Sequence, residues 1–329
     1  MKKRFLAIVI FVLTFCFALG GCGEGCGCVS TKLLDFKSDY FASSKLHDNY
    51  TETLTYSVKH DGIIYPVSSS LDESAFAFQE GTYVTTLRLL STYPEEIDND
   101  IKKELNNSKV FEYVTRLEIP VTYNLAETKT FTDVIETRTI FCSQEKHFSP
   151  LYSITTANYS MFYQVGETKS VQELSYVSTV TYGVSAYKQV MQTGDTIENN
   201  EYNYVFGSLI DNNQLLFAIR NISVEDGSPV GLPVVSTSMP KSTSIAVVYK
   251  NADVLKFNSE DVKVTKLAYC LNSTKESGKE HFVFVQNNTD ESSLGKKAYV
   301  VRYVQPLTAY GSFESMGSLV FDLKTAVVS

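Results

Sequence analysis

The chain of 329 residues contains no Trp and only four His. These histidines, His47, His60, His147 and His281, do not have the spacing of a zinc site, and no H-E-x-x-H motif is present. The G-x-S-x-G motif of serine hydrolases and the glycine-rich phosphate-binding motifs are absent as well. The sequence therefore predicts no catalytic residue, no metal site and no cofactor.

Positive charge is also scarce. Lys and Arg number 29 against 37 Asp and Glu, which gives a formal net charge of −8. Three of the basic residues, Lys2, Lys3 and Arg4, lie at the extreme N-terminus, where there is no acidic residue to balance them. The rest of the chain is therefore more acidic still. An acidic surface argues against a nucleic-acid partner, because such partners are polyanions.

The one long apolar run lies directly after those basic residues. Residues Phe5 to Leu19 are apolar apart from Thr14. About 20 residues are needed to span a bilayer, and this run is shorter. A basic start, a short apolar stretch and small residues after it are typical of a secretory signal peptide. Residues 1–21 are therefore predicted to be a signal peptide.

Leu19-Gly20-Gly21-Cys22 follows the apolar run without a break. This tetrapeptide resembles the lipobox of bacterial lipoproteins. The resemblance implies cleavage before Cys22 and a diacylglyceryl group on its sulfur, since two acyl chains hold a protein firmly on a membrane. It also implies a location on the extracytoplasmic face of a bacterial cell membrane. The alternative is a plain secretory signal peptide cleaved after Gly21.

The remaining cysteines are few. Cys26 and Cys28 lie in the Gly-rich segment 22–32, which is predicted to be a short tether, and a single C-x-C is a weak metal signal. Cys142 and Cys270 lie far apart in the body of the protein. They are interpreted either as a disulfide, in an oxidising compartment, or as two buried free thiols.

Residues 33–329 are predicted to form a β-rich body. Tyr and Phe number 21 and 20, and both favour strands. Alternating apolar residues predict strands along most of the chain, at Glu52–Val58, Ile63–Val67, Ala75–Phe78, Tyr83–Leu90, Val110–Tyr123, Phe131–Cys142, Tyr152–Tyr159, Ser160–Val165, Ser170–Tyr182, Ser244–Tyr249, Val262–Leu271, Glu280–Gln286, Ala298–Val304 and Ser318–Leu323. Asp61-Gly62 is a hairpin signal. The polar segment 193–203 marks the boundary between two lobes, if the body is not a single unit.

Phe131–Cys142 differs from the other predicted strands. Asp133, Thr137 and Thr139 share one side of it with apolar residues. Neither side is uniformly apolar, so the pattern predicts a curved or edge strand. The fold class is therefore mainly β, a curved antiparallel sheet or half-barrel with one or two short helices.

Two segments are predicted to be helices, and a third has a helical pattern. Pro94–Leu105 begins with Pro94 and acidic residues, which favour a helix N-terminus. Asp211–Ile222 begins with an Asp cap and has Gln214 three residues later, although alternation of Phe217 and Ile219 is also compatible with a strand. Leu33–Leu46 has the pattern of a short amphipathic helix.

The order of these elements resembles lipoprotein-carrier proteins of the half-barrel type, in which a curved sheet wraps around one or two helices. That resemblance implies a concave face that either encloses an apolar ligand or is packed with aromatic side chains. Similarity of fold does not by itself establish a function.

We expect a membrane-anchored, non-enzymatic lipoprotein that binds an apolar ligand or serves in an envelope assembly. An envelope-associated hydrolase and a surface adhesion or structural module are the alternatives. For a hydrolase, Cys142 and His147 are the candidate pair, but five residues of strand separate them by about 16 Å.

Overall fold

The computed structural model describes residues 41–42, 45–62, 76–106, 108–165, 168–235, 243–270, 280–287, 289–295, 297–308 and 315–329. The predicted signal peptide, Cys22 and its tether lie outside these residues. The strand predicted at Ile63–Val67 and most of the helix predicted at Leu33–Leu46 lie outside them too.

Strands dominate the described chain, and the prediction of a mainly β fold is confirmed. They are β1 (Thr51–Asp61), β2 (Phe76–Phe78), β3 (Gly81–Leu90), β4 (Val110–Asn124), β5 (Thr128–Cys142), β6 (Pro150–Val165), β7 (Thr168–Tyr182), β8 (Ala186–Thr193), β9 (Thr196–Asn203), β10 (Ile210–Asp211), β11 (Val230–Val235), β12 (Thr243–Phe257), β13 (Glu260–Tyr269), β14 (His281–Gln286), β15 (Val300–Thr308) and β16 (Ser315–Val328). The α-helices within the described residues are α1 (Asn99–Leu105) and α2 (Leu215–Asn221).

All sixteen strands belong to one large, open, curved sheet. Its order is β10-β11-β12-β13-β14-β15-β16-β1-β3-β4-β5-β6-β7-β8-β9, and β2 pairs with β4. Neighbouring strands are antiparallel except for the parallel pair of β10 and β11. The last strand, β16, pairs with the first, β1, and the amide groups of Thr51 and Ser329 exchange hydrogen bonds of 2.8 and 2.9 Å. The two halves of the chain therefore share one hydrogen-bonded ladder.

The sheet has two distinct faces because alternate side chains point in opposite directions. Phe111 and Tyr113 of β4 and Phe141 of β5 face α2, and this side is called the inner face. Val110 and Ile140 face α1 on the opposite side, which is called the outer face. The main buried cluster lies on the inner face and includes residues of both halves of the chain.

Helix α1 begins five residues later than the sequence pattern predicts. Asp98 is its N-cap, and the Asp98 carboxylate accepts hydrogen bonds from the amides of Asp100 and Ile101. A carboxylate that satisfies two otherwise free N–H groups fixes the start of a helix more strongly than Pro94 does. Ile97, Ile101 and Leu105 recur every four residues, and all three are buried against the outer face.

The structure bears on two further expectations, which concern segment 193–203 and the curved or edge strand at Phe131–Cys142. The polar segment 193–203 is the end of β8, a turn at Gly194-Asp195, and β9, so it is a hairpin within the sheet. Strand β5 is not an edge strand, since β4 and β6 pair with its two sides. Its polar residues are accommodated because they hydrogen-bond inside the protein, as the bond of 2.7 Å between the Thr115 and Thr137 hydroxyls shows.

Candidate functional site

A short internal helix covers part of the inner face. It begins with a 3₁₀ turn at Asn212–Gln214 and continues as α2, and every residue of both segments is buried. A helix that is buried on all sides belongs to the interior of a protein. Phe217 lies in the middle of it, with ring centroids 5.1 Å from those of Phe141 and Phe148. The helix prediction is confirmed, and its own side chains occupy this region of the inner face.

Asp211 caps this helical segment from a fully buried position. Its carboxylate accepts hydrogen bonds from the Asn213 amide at 2.8 Å and from the Tyr182 hydroxyl at 2.6 Å. Burial raises the pKa of the Asp211 carboxyl to about 6, although these hydrogen bonds act in the opposite direction. The Asn213 side chain in turn donates to Ser153 and Thr155 at 2.8 and 2.9 Å. The cap therefore joins the helix to β6 and β7.

A buried ion pair holds the other end of α2. The Arg220 guanidinium donates to both oxygens of Glu52 at 2.6 and 3.0 Å, and the side chains are 3% and 2% exposed. The rings of Phe41, Phe217 and Tyr299 surround the guanidinium at 5.1 to 5.6 Å. Burial lowers the Arg220 pKa, but the Glu52 charge outweighs this effect and keeps that pKa above its ordinary value. Arg220 therefore remains charged, and its hydrogen bonds to Glu52 tie α2 to β1.

A row of buried hydroxyl groups crosses the inner face. Its members are directly opposite one another in register and come from five neighbouring strands, Thr85, Thr115, Thr137, Thr155 and Ser178. Hydroxyl groups can satisfy each other across an antiparallel pair. The inner face is therefore polar in its centre rather than uniformly apolar.

His281 lies in a second polar cluster of the inner face. Its Nδ1 is 2.6 Å from the Tyr303 hydroxyl, and its ring stacks on Tyr269 and Tyr303 with interplanar angles of 14° and 18°. Burial lowers the pKa of His281 to about 3. The imidazole is therefore neutral at physiological pH and acts as a packed, hydrogen-bonded core residue.

A small cavity lies beside β5, β6 and β7, with a buried carboxylate in its wall. Its volume is about 220 Å³, and it is lined by Phe131, Thr132, Asp133, Asn158, Tyr159, Ser160, Glu173, Leu174 and Ser175. Asp133 is 0% exposed. Its Oδ1 accepts hydrogen bonds from the Ser160 amide at 2.8 Å and hydroxyl at 2.7 Å, whereas Oδ2 has no partner in the part of the chain that the structure describes. This is the strongest candidate for a binding site within the body.

A second candidate is the surface around β9, the last strand at one end of the sheet. β9 has eight residues, most of them exposed. Ile197 is 58% exposed, and Val190 on the adjacent β8 is 41% exposed. The opposite end of the sheet is β10, which has two residues, both buried. One end is therefore short and covered, whereas the other presents a long strand to solvent.

The structure does not pair the two cysteines of the body. Cys142 and Cys270 are both free thiols. Cys142 lies at the end of β5 beneath α1, whereas Cys270 follows β13, and β14, β15, β16, β1, β3 and β4 lie between those strands in the sheet. Burial raises the Cys142 pKa to about 12, so its thiol is protonated at neutral pH. That state is unsuited to a nucleophile paired with His147.

No group of three or more His, Cys, Asp or Glu side chains has the arrangement of a metal site within the described residues. Within the same ranges, no helix has the length and apolar character needed to cross a bilayer.

Comparison with known proteins gives limited information. No protein family model matches the chain, and no curated protein matches it in sequence. A solved structure, the beta-barrel-like protein of the domain of unknown function DUF1849 from Brucella abortus, is similar with a TM-score of 0.43 and 8% sequence identity. The similarity covers 85% of this chain and 98% of that chain.

Proposed function

We propose that this chain is a non-enzymatic, extracytoplasmic lipoprotein, anchored in a membrane by a diacylglyceryl group on Cys22, that serves in an envelope assembly. The observation that carries the second half of the proposal is the free edge strand β9 (Thr196–Asn203). The N-terminal sequence, with its basic start, short apolar run and Leu19-Gly20-Gly21-Cys22, carries the first half.

The partner contact that fits β9 is the addition of a further strand. An exposed edge presents unpaired N–H and C=O groups that pair readily with an extended segment of another chain. Thr193 and Thr196 flank a two-residue turn and face each other as a hydrogen-bonded pair. Every second residue of β9 from Thr196 onward is therefore hydrogen-bonded to β8. The residues between them, Ile197, Asn199 and Glu201, direct their main-chain N–H and C=O groups away from the sheet. The exposed side chains of Ile197 and Val190 add apolar area beside this edge.

The negative charge of β9 limits which extended segments can pair with it. The turn and strand contain Asp195, Glu198 and Glu201 but no Lys or Arg. Pairing of two copies through β9 would bring like charges close together, which is destabilising. An extended segment with neutral or basic side chains is therefore the better partner.

Helix α2 occupies part of the inner face, and this favours a role in an envelope assembly over the carriage of an apolar ligand. Carriers of drug-sized ligands hold them in mostly apolar pockets of roughly 300–1,000 Å³. The cavity of about 220 Å³ beside Asp133 is smaller and contains two carboxylates in its lining. Ile219 and Phe217 of α2 are instead buried in the interior.

The anchor is tested by replacing Cys22 with Ala. In membrane and soluble fractions of cells that express the full chain, the unchanged protein should be found with the membranes and Cys22→Ala in the soluble fraction. A Cys26→Ala chain is the matched control and should remain in the membranes. Retention of Cys22→Ala in the membrane fraction would disprove the anchor.

The edge is tested by crosslinking from Ile197, replaced by a photoreactive amino acid in the full chain within intact cells. We expect a discrete crosslinked protein. Asn199→Pro, which removes an outward N–H, should abolish this product, while Asn199→Ala should preserve it, because Pro is tolerated on an edge strand but cannot donate. Equal crosslinking by both variants would rule out strand addition at β9.

A further inference from the structure

The geometry beside Asp133 points to a binding site for a positively charged ligand. Asp133 is anchored on one side only, through the two hydrogen bonds from Ser160 to Oδ1. Ser160 is itself fixed by the Tyr123 hydroxyl, which lies 2.8 Å from the Ser160 hydroxyl. A carboxylate oxygen that is buried without a partner is costly, and native proteins rarely leave one without a reason. A hydrogen-bond donor or a cation is therefore expected at Oδ2, and the described residues do not supply one.

The cavity contains a second carboxylate at its exposed side. Glu173 lies on β7, directly opposite Ser160 in register. Burial raises the pKa of Asp133 to about 6, and the negative charge of Glu173 adds a smaller contribution in the same direction. The two residues line the same cavity, and the charge of Glu173 disfavours ionisation of Asp133. A cation between them would relieve this effect.

The rest of the lining favours an organic cation over a metal ion. None of the nine lining residues is Lys, Arg or His, so no internal counter-charge is present among them. Calcium usually takes six to eight oxygen ligands, including several carboxylates. Here there are two carboxylates, and Phe131 and Tyr159 line the cavity as well. Aromatic rings beside carboxylates are a combination that attracts ammonium groups.

We propose that this cavity binds the ammonium group of a small organic amine, with Asp133 and Glu173 as its counter-charges. The volume of about 220 Å³ accommodates a small amine or the end of a longer one. Phe131 and Tyr159 contact the alkyl part of the ligand, and Asn158, which is exposed and also lines the cavity, offers a further hydrogen-bonding group.

The proposal is tested by isothermal titration calorimetry of the full chain in a non-ionic detergent at pH 7.5. The ligand is 1,4-diaminobutane, and 1,4-butanediol is its uncharged counterpart of the same length. We expect saturable binding of the diamine and none of the diol. Asp133→Asn should abolish binding, and Glu173→Gln should weaken it at least tenfold. Binding should also weaken as the pH is lowered from 7.5 to 5, because Asp133 becomes protonated.

Glu127→Gln is the matched control, because it removes one negative charge from the exposed β4–β5 turn without altering the cavity lining. It should bind the diamine like the unchanged protein. Glu173 is exposed, so Glu173→Gln remains informative even if Asp133→Asn does not fold. Absence of diamine binding, equal binding of the diol, an equal effect of Glu127→Gln, or binding of Ca²⁺ but not diamine would each overturn the proposal.

Discussion

Arg220 and Glu52 are buried so completely that neither can lose its partner without a large penalty. We expect Arg220→Met to lower the free energy of unfolding by about 3–5 kcal/mol, because the Glu52 carboxylate would remain buried without its counter-charge. Urea denaturation of the full chain, followed by circular dichroism, measures this change. The double variant Glu52→Gln with Arg220→Met should recover part of the loss, since no unpaired charge then remains.

Arg116 provides the control for that experiment. It pairs with Glu118 and Glu136 on the surface, and its side chain is 48% exposed. Exposed ion pairs contribute about 0–1 kcal/mol. Arg116→Met should therefore have little effect. An Arg220→Met protein no less stable than Arg116→Met would show that the buried pair does not hold α2 in place.

His281 gives a prediction of pH dependence. Its pKa is about 3 in the folded protein and about 6.5 in an unfolded chain. Below pH 6.5 the unfolded chain binds a proton that the folded protein does not, so this residue lowers stability as the pH falls from about 6.5 towards 3. The expected slope is on the order of 1.4 kcal/mol per pH unit.

Comparison with His281→Phe isolates this contribution. The raised pKa values of Asp133 and Asp211 act in the opposite sense: their protonation stabilises the folded protein as the pH falls from about 6 to about 4. Both proteins share that effect, so it cancels in the difference between their unfolding free energies. A difference that stays constant between pH 7 and pH 5 would contradict the assignment of His281 as a buried neutral residue.

Among the elements, α1 is short enough for its cap to matter. Asp98→Ala removes the acceptor for two helix N–H groups and should cost about 1 kcal/mol in the free energy of unfolding. Asp100→Ala is the matched control. It removes an exposed carboxylate whose surface ion pair with Lys103 adds little stability. Equal losses from the two substitutions in urea denaturation would show that the cap does not stabilise the protein.

The sequence pattern was sufficient for elements whose burial follows a clear period. Strand β1 alternates from Thr51 to Val58, and α2 has apolar residues at helical spacing. The sequence pattern does not predict β9 because both faces of this strand are exposed, so it lacks the alternation of apolar and polar residues that indicates a strand. Strand β8, which leads into the same turn, was not predicted either. Strand β11 was missed because Gly231 and Pro233 interrupt its short apolar run.

The candidate sites were less predictable than the strands. Asp133 was noticeable in the sequence as a charged residue on the apolar side of a strand, but its role depends on Ser160 and Glu173, which lie on β6 and β7. The partnership of Glu52 with Arg220 joins residues from β1 and α2, far apart in the chain. Contacts of this kind follow from the order of strands in the sheet. The residues of a single strand do not indicate which other strands lie beside it.

At the scale of the whole molecule, β16 joins the two halves of the sheet. It lies between β15 and β1, and residues Ser318–Asp322 are paired on both sides. Met316, Leu319 and Phe321 of this strand are buried in the main cluster. Without β16 the ladder of β1–β9 and the ladder of β10–β15 have no strand between them, and each would present a new free edge.

We therefore expect a chain that ends at residue 314 to lose its cooperative urea transition and to become sensitive to proteolysis. A peptide of residues 315–329 added in trans should restore part of the protection, because it supplies the missing strand. A chain that lacks only residues 327–329 is the control, and it should retain a cooperative transition since Val327 and Val328 are exposed. The chain ending at 314 could instead unfold cooperatively at the same urea concentration as the full chain. The two halves would then be stable without β16, and each half of the sheet would fold independently.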